Sequence, residues 1–552
     1  MKSDEKGVKF ASSYKEQFTL RGMIIGSIGV IILTISSMYV ALKLGALPWP
    51  IIFVALVSMF SLKLMGNTNI NEINVTHTAM SAGAMVAGGL AFTAPGIWIL
   101  DPEAKVEMIS LLVITIGGVI LGLIFTALIR TYFVEVKELP YPMGQAAAET
   151  LLAGDEGGKK SSVLFISMGA SALFTFIRDW FSGKIIPVTI NLNQSMISKG
   201  VACQLWLSPM LIAVGYIIGP VFLGVWFLGA ILGDFGIVIG GVNLGLFDLN
   251  EALGIKTSLG IGVMVGTGVG IIVKGILPKA KEIFGPMFFK KNRHGGIVNL
   301  RWAPLAMVFL AFLFTFVSKM GFLPSIITIL GVWLATSMSA QVVGQSGINP
   351  MEVFGIIVLL AVKVTSQIGH VEAFFVAAVV AIACGLVGDV MNDFKEGYIL
   401  ESNPKAQWFA EVIGGIIGAI VSVFVLFIIL KAYGNNAFGS GGVFVAPQAG
   451  VVAAMVGGIP NTAAFIIGLL AGLILYVINF PVMTLGLGIY LPFYLSATAF
   501  IGGVLKFIIQ KLAPQWDKKG TGLIIASGLL GGEAIIGVVI ALIQAVQGMS
   551  AL

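Results

Sequence analysis

The chain has 552 residues, of which 57% are hydrophobic and only 11% are charged, and its net charge is +6. Apolar runs of about 20 residues, the length that crosses the hydrocarbon core of a bilayer, recur along it. No polar stretch is long enough for a soluble domain of about 100 residues. The runs also lack the period-two alternation of a membrane β-barrel. The composition therefore predicts an all-α, polytopic integral membrane protein.

In chain order, the hydropathy predicts a tail at residues 1–18, a first membrane region at 19–278, a basic loop at 279–301 and a second membrane region at 302–552. Each membrane region holds about eight apolar runs of spanning length, which gives about 16 predicted helices in all. The run at 445–458 is too short to span alone and is predicted to be re-entrant.

The basic loop fixes the predicted orientation. The basic residues in this loop and just before it are Lys274, Lys279, Lys281, Lys290, Lys291, Arg293 and Arg301. The positive-inside rule places such a loop in the cytoplasm, together with the tail at 1–18. We therefore predict a multi-pass protein of the plasma or inner membrane, and the basic residues are interpreted as a topology signal and not as a nucleic-acid interface.

The two membrane regions are related in sequence. Gly29, Val30, Thr34, Ser37 and Val40 recur 302 positions later, at Gly331, Val332, Thr336, Ser339 and Val342. A second repeated pattern, at an offset of 262 positions, relates Pro142, Gln145 and Glu149 to Pro404, Gln407 and Glu411. Internal repeats are typical of transporters that work by alternating access. The sequence leaves open whether the copies are parallel or inverted.

The chain also contains 71 glycines. In membranes, small residues allow helix backbones to approach closely. Glycine-rich faces are compatible with packing inside one chain or with a homodimer.

Polar residues inside an apolar chain are costly and indicate function by default. They form three clusters, at 69–78, 138–150 and 388–411, and Glu533 stands apart in the last apolar run. The structural alternatives are a helix cap for the first cluster, a surface helix for the second and a hydrated loop for the third.

Two of these features carry specific hypotheses. Pro140 and Pro142 interrupt any regular helix, so a broken or re-entrant helix is predicted from 142 to 154, with its N-terminus suited to a substrate carboxylate. Asp389 and Asp393 are four residues apart and share a helix face. Glu533 is the strongest single candidate for proton binding, because no interfacial position explains it. The sequence predicts no catalytic residues, no metal site and no cofactor.

These segments carry a family resemblance across most of the chain. The matching motifs are Asn-Glu-Ile-Asn at 71–74, Leu-Pro-Tyr-Pro-Met-Gly-Gln-Ala-Ala-Ala-Glu at 139–149, Gly-Ile-Asn-Pro at 347–350, the stretch 389–398 with Pro-Lys-Ala-Gln at 404–407, Gly-Leu-Gly-Ile-Tyr-Leu-Pro at 486–492, and residues 528–534. Together they resemble the oligopeptide transporter family, which includes the yellow stripe-like transporters of metal chelates. The Asn-Pro-Gly and Lys-Ile-Pro-Pro-Arg motifs of the family's eukaryotic peptide branch do not occur, which favours a prokaryotic or chelate-transporting member.

The resemblance implies a proton-coupled secondary transporter that imports oligopeptides or peptide-like molecules, or alternatively metal complexes of peptide-like chelators. A channel or a membrane-embedded enzyme is the alternative from another class. Substrate contacts are predicted for Asn71, Glu72, His77, Tyr141, Gln145, Asn349, Gln407 and Gln448. Proton coupling is predicted for Glu149, Asp389, Asp393, Glu411 and Glu533, because burial favours the neutral form of a carboxyl group until the cavity hydrates.

Overall fold

The structure, a computed structural model, describes residues 13–44, 51–156, 158–181, 183–197, 199–281, 297–298, 300–439, 442–515 and 520–550. Most of the predicted tail and of the predicted basic loop lies outside these residues. The described chain is built almost entirely from helices, which confirms the all-α class. Inside hydrocarbon a helix satisfies every backbone amide within its own segment.

The chain divides into two compact units. Unit 1 takes the described residues of Met1–Asp155, Lys279–Gly458 and Val538–Leu552, and unit 2 takes those of Glu156–Pro278 and Ile459–Gly537. Each unit therefore draws on both sides of the basic loop. The division into two membrane regions at 19–278 and 302–552 is a statement about sequence repeats, and it stays a prediction.

Unit 1 is a helical bundle. Its helices are α1 (Tyr14–Gln17), α2 (Leu20–Leu44), α3 (Ile51–Met65), α4 (Ile70–Ala91), α5 (Gly96–Leu100), α6 (Met108–Arg130), α7 (Pro142–Glu156), α14 (Ala303–Phe316), α15 (Phe322–Ser346), α16 (Met351–Thr365), α17 (His370–Ile399), α18 (Pro404–Tyr433) and α19 (Pro447–Gly457). Short π-helical and 3₁₀ segments, Thr131–Val136 and Asn435–Ala437, follow α6 and α18. At the centre lie α4, buried along its whole length, and α17, buried from Ala373 to Gly397.

Unit 2 is also helical. Its helices are α8 (Gly158–Trp180), α9 (Gln194–Ile197), α10 (Pro209–Ile218), α11 (Pro220–Ala230), α12 (Gly241–Asn243), α13 (Leu249–Gly270), α20 (Thr462–Val477), α21 (Val482–Tyr490), α22 (Phe493–Leu512) and the first part of α23 (Thr521–Ser550). Two π-helical segments, Ile231–Gly240 and Ile271–Ile276, follow α11 and α13, and a 3₁₀ turn covers Leu277–Lys279. A small antiparallel hairpin joins β1 (Thr189–Asn191) to β2 (Gln204–Trp206), with Thr189 opposite Trp206.

Ten helices of the described residues are long and apolar enough to cross a membrane, or eleven if α19 and α20 count as one broken span. Shorter apolar helices occur at Val54–Met65, Pro209–Ile218, Ala303–Phe316 and Thr521–Gly537. A polytopic membrane protein is therefore the architecture, and the number of about 16 spans stays a prediction. Several predicted spans fold as helices shorter than the roughly 20 residues that cross a bilayer.

The two predicted irregular segments have clear local causes. Tyr141 has a φ of 46°, and α7 begins immediately after it at Pro142, whose fixed φ suits the first turn of a helix. The run predicted as re-entrant contains α19, which has 11 residues and follows Ala446 at a φ of 42°. Neither segment continues the helix before it.

Glycines allow α4 and α18 to pack backbone to backbone. A methyl group at Gly418 would overlap the Cα of Gly83, and one at Gly414 would overlap the carbonyl oxygen of Ala79. Because both obstacles are backbone atoms, the two helices can relieve the overlap only by moving apart. This close crossing brings the polar residues of α4 and α18 near each other.

We expect Gly414→Ala to lower the free energy of unfolding by about 1–3 kcal/mol, the usual cost of overpacking a well-packed interior. The midpoint of thermal unfolding in detergent measures it. Gly450→Ala on α19 is the matched control, because a methyl group there would meet no heavy atom within 4 Å. An unchanged midpoint for Gly414→Ala would show that the helices do not cross at this distance.

Candidate functional site

A histidine and a glutamate meet at the centre of unit 1. His77 lies on α4 and Glu396 lies on α17, and His77 Nε2 is 3.0 Å from Glu396 Oε1. Both side chains are completely buried. Burying an ionisable group is costly unless it has a partner. Each residue of this pair supplies the partner that the other one needs.

Three further carboxyl groups lie beside this pair. Asp389 and Asp393 lie one turn apart on α17, and Glu411 reaches them from α18. The Ser81 hydroxyl on α4 donates a hydrogen bond of 3.0 Å to Asp393 Oδ2. One carboxylate oxygen from each of Asp389, Asp393 and Glu411 lies within 4.8 Å of the other two. We call His77, Asp389, Asp393, Glu396 and Glu411 the carboxylate cluster.

Amides tie the cluster to the loop between α17 and α18. Gln407 donates a hydrogen bond of 2.6 Å to the carbonyl oxygen of Asp393. The Asn74 amide donates to the Ser402 hydroxyl at 2.7 Å, and that hydroxyl donates to Asn71 Oδ1 at 2.7 Å. These contacts join α18 to α17, and they join α4 to the loop that follows α17.

Many polar atoms of the cluster lack a hydrogen-bond partner among the described residues. They are both carboxylate oxygens of Asp389 and of Glu411, Asp393 Oδ1, Glu396 Oε2 and His77 Nδ1. Buried polar atoms in folded proteins almost always have partners, and exceptions call for an explanation. A concentration of such atoms at one place indicates a site that takes up protons or a ligand.

Comparison with known proteins assigns the chain to a family. A model described as "OPT oligopeptide transporter protein" matches residues 17–248 and 296–544. The chain belongs to the oligopeptide transporter family. The prediction made from its motifs is thereby confirmed, and because members of this family are transporters, a transporter is favoured over a membrane enzyme.

Individual relatives agree with this assignment. The chain is similar to a "Putative oligopeptide transporter" of Haemophilus influenzae, 25% identical over 604 aligned positions that cover 92% of each chain. It is also similar to two proteins of Oryza sativa subsp. japonica, each named "Probable metal-nicotianamine transporter". These are 28% and 27% identical over 180 positions, which cover 28% of this chain and 24% of each relative.

Of the residues predicted from the sequence, the transporter brings His77, Asp389, Asp393 and Glu411 together in the cluster, with Gln407 and Asn71 beside it. Sequence reasoning missed Glu396 and Ser81. The missed signal for Glu396 was its spacing, because Asp389, Asp393 and Glu396 follow one helix face at intervals of four and three. Ser81 carried no comparable signal.

Glu72 is predicted to contact substrate, and the structure places it in a network with Arg21. Arg21 donates to both carboxylate oxygens of Glu72, at 2.7 and 2.6 Å. Thr19 and Thr68 also donate to Glu72, at 2.6 and 2.7 Å. Four donors leave this carboxylate well satisfied, which suits a link between the N-terminal end of α2 and α4.

The segment predicted to receive a substrate carboxylate begins at Tyr141. The Tyr141 hydroxyl donates to the carbonyl oxygen of Ala340 at 3.0 Å, and its backbone N–H donates to Gly344. The Gly144 N–H in the first turn of α7 already donates to Asn392 Oδ1, at 3.0 Å. Gln145 is exposed and Glu149 is half-buried. One amide of this helix terminus is therefore already occupied by α17.

The remaining predicted residues lie elsewhere. Asn349 accepts from Ser339 at 3.0 Å and donates to the carbonyl oxygen of Cys384 at 2.8 Å, which fastens the start of α16 to α17. Gln448 is half-buried in the first turn of α19.

Glu533 belongs to unit 2 and has its own partners there. It accepts from Arg178 at 3.0 Å, from the Ser208 hydroxyl at 2.9 and 3.0 Å, and from the backbone N–H of Met210 at 2.7 Å. Arg178 also contacts Asp179 at 2.6 and 2.7 Å. Such a set of donors stabilises a charged carboxylate.

Proposed function

We propose that the protein is a proton-coupled secondary transporter that imports oligopeptides or peptide-like molecules. The observation that carries this proposal is the carboxylate cluster, where completely buried carboxylate oxygens have no donor among the described residues. Ionisable groups inside membrane proteins are costly, and they typically serve as proton relays or ion sites.

The coupling step follows from this burial. In the buried state, protons on Asp389 and Glu411 remove the cost of unpaired charges. When the conformation changes and water reaches the cluster, the carboxyl groups ionise and release their protons. His77 and Glu396 lie next to these groups and supply a second pair between which a proton moves. Protons are therefore carried by the cluster in one direction of each cycle.

Among the other residues proposed for coupling, Glu149 is half-buried and Glu533 is fully hydrogen-bonded. Neither has the unpartnered buried oxygens of Asp389 and Glu411. We therefore assign the main coupling role to the cluster and a secondary one to Glu149 and Glu533.

The substrate class rests on the relatives. The bacterial relative, which is similar over 92% of this chain, is named "Putative oligopeptide transporter". For peptide recognition we propose Tyr141 and Gln145 at α7, with Asn71, Glu72, Asn349, Gln407 and Gln448 as further polar contacts. The rice relatives support the alternative substrate, a metal complex of a peptide-like chelator, over a smaller part of the chain.

The proposed transport cycle uses two related halves. Helices α2 and α15 both have 25 residues, and adding 302 to the ends of Leu20–Leu44 gives the ends of Phe322–Ser346. Helices α3 and α16 both have 15 residues. This agreement in helix lengths supports an internal repeat, which is typical of alternating access. We further propose about 16 spans and a cytoplasmic loop at 279–301, in a plasma or inner membrane, from the hydropathy and the basic residues of the chain. A homodimer is compatible with the same arrangement.

Uptake into proteoliposomes tests the proposal. With an inward proton gradient, we expect labelled tri- and tetrapeptides to accumulate, and accumulation to stop when a protonophore dissipates the gradient. An iron complex of a peptide-like chelator is offered in parallel. Accumulation of the chelate alone would move the substrate to the alternative class, and uptake independent of the gradient would refute proton coupling.

A further inference from the structure

Three carboxyl groups of the cluster form a separate set of oxygen ligands. Asp389 and Asp393 on α17 and Glu411 on α18 each offer one oxygen, and these oxygens lie within 4.8 Å of one another. All three side chains have no solvent exposure. Such a spacing allows one ion to contact all three groups.

The second observation is the lack of partners inside this set. Of its six carboxylate oxygens, the only one with a hydrogen-bond donor among the described residues is Asp393 Oδ2, which accepts from Ser81. The other five are buried and unpartnered. A buried ionised carboxylate without a partner costs several kcal/mol, so the set requires a positive occupant whenever it is charged.

The charge of the three groups and the type of their ligand atoms indicate which kind of cation fits the site. Three ionised carboxylates carry three negative charges, so a monovalent cation leaves two of them uncompensated. A divalent cation leaves one, which a single proton neutralises. Carboxylate oxygens are the ligands preferred by hard divalent cations such as Mg²⁺, Ca²⁺ and Mn²⁺. The neighbouring His77, Asp393 and Glu396 form an overlapping ligand set with one nitrogen donor.

We propose that Asp389, Asp393 and Glu411 bind a hard divalent cation, with Asp393 as the central ligand because it belongs to both ligand sets. The cation competes with the protons on Asp389 and Glu411 for the same oxygens, and its role in transport therefore rests on the proposed function. Binding itself requires neither a substrate nor a proton gradient. The cation is therefore part of the coupling site and is distinct from any metal carried within a chelate.

Mn²⁺ binding to the purified full-length protein in detergent tests the inference. The electron paramagnetic resonance signal of free Mn²⁺ reports how much is bound. We expect about one Mn²⁺ per chain, displaced by excess Ca²⁺. Asp389→Asn and Glu411→Gln should each weaken Mn²⁺ binding by at least about 10-fold, because each removes a direct ligand and even indirect partners of metal sites contribute this much.

Glu401→Gln is the matched control, because Glu401 is exposed and lies between α17 and α18, outside the cluster. It should bind Mn²⁺ as the unaltered protein does. If the carboxylate variants fail to fold, Ser81→Ala keeps all three carboxyl groups and removes the one donor to the Asp393 carboxylate among the described residues. It should weaken Mn²⁺ binding in a folded protein, because such partners orient the metal ligands.

Two results would overturn the inference: absence of saturable Mn²⁺ binding to the folded protein, or equal binding by Asp389→Asn, Glu411→Gln and the unaltered protein. Either result would leave the proposed function standing, because that function is tested separately by peptide accumulation with the unaltered protein in proteoliposomes. Conversely, intact Mn²⁺ binding without gradient-driven uptake would refute the proposed function and leave the cation site standing.

Discussion

Glu411→Gln is expected to abolish gradient-driven accumulation of substrate while preserving exchange of substrate across the membrane. Both carboxylate oxygens of Glu411 are buried and have no hydrogen-bond partner among the described residues, so a glutamine fits the same space as the protonated acid. It cannot release a proton, however. The transporter should still change conformation, because the glutamine is neutral in every state, but it should no longer couple that change to movement of the proton that Glu411 carries.

The expected size of the change in accumulation follows from the free energy stored in the proton gradient. One pH unit stores about 1.4 kcal/mol per proton, which supports about 10-fold accumulation for one coupled proton. In proteoliposomes with such a gradient, the ratio of internal to external substrate should fall to about 1 in Glu411→Gln. Counterflow, in which labelled substrate exchanges against unlabelled internal substrate, should continue.

Glu401→Gln is again the control, and it should accumulate substrate normally. If Glu411→Gln accumulates substrate as well as this control does, Glu411 carries no coupled proton. Loss of both accumulation and counterflow, with a folded protein, would place Glu411 in substrate binding or in the conformational change itself.

His77→Ala is expected to produce the largest loss of stability. His77 and Glu396 are completely buried and 3.0 Å apart, and removal of the histidine leaves a buried carboxyl group without its partner. Breaking a buried pair in this way costs about 3–5 kcal/mol. A lower midpoint of thermal unfolding in detergent, measured by size-exclusion chromatography after heating, should report it. His370→Ala, at an exposed position where α17 begins, should leave the midpoint unchanged.

A double replacement separates stability from transport. Replacing a buried pair by apolar residues of similar volume is often neutral or stabilising, so His77→Leu combined with Glu396→Met should recover most of the lost stability. It should not recover gradient-driven uptake, because both titratable groups are gone. A stable double variant with normal uptake would show that this pair is only structural.

The membrane class and the family were evident from the sequence, because both depend on features that lie along the chain. Hydrophobic length alone indicates helices that cross a bilayer. The proximity of Asp389 and Asp393 also follows from helix geometry, since residues four apart share a face. The same argument would have added Glu396, three positions further on. Local periodicity therefore predicted one side of the carboxylate cluster.

Which residues complete that cluster was decided by tertiary structure. His77 meets Glu396 across 319 positions, and Glu411 joins from α18 because glycines at the crossing of α4 and α18 let the backbones approach closely. Long-range packing also gave Glu72 the partner Arg21 and gave Glu533 the partner Arg178. The sequence determined a bilayer-spanning helical transporter and one acidic helix face. Helix packing determined which acidic groups are paired and which remain unpartnered, because pairing depends on distances between helices that no local pattern encodes.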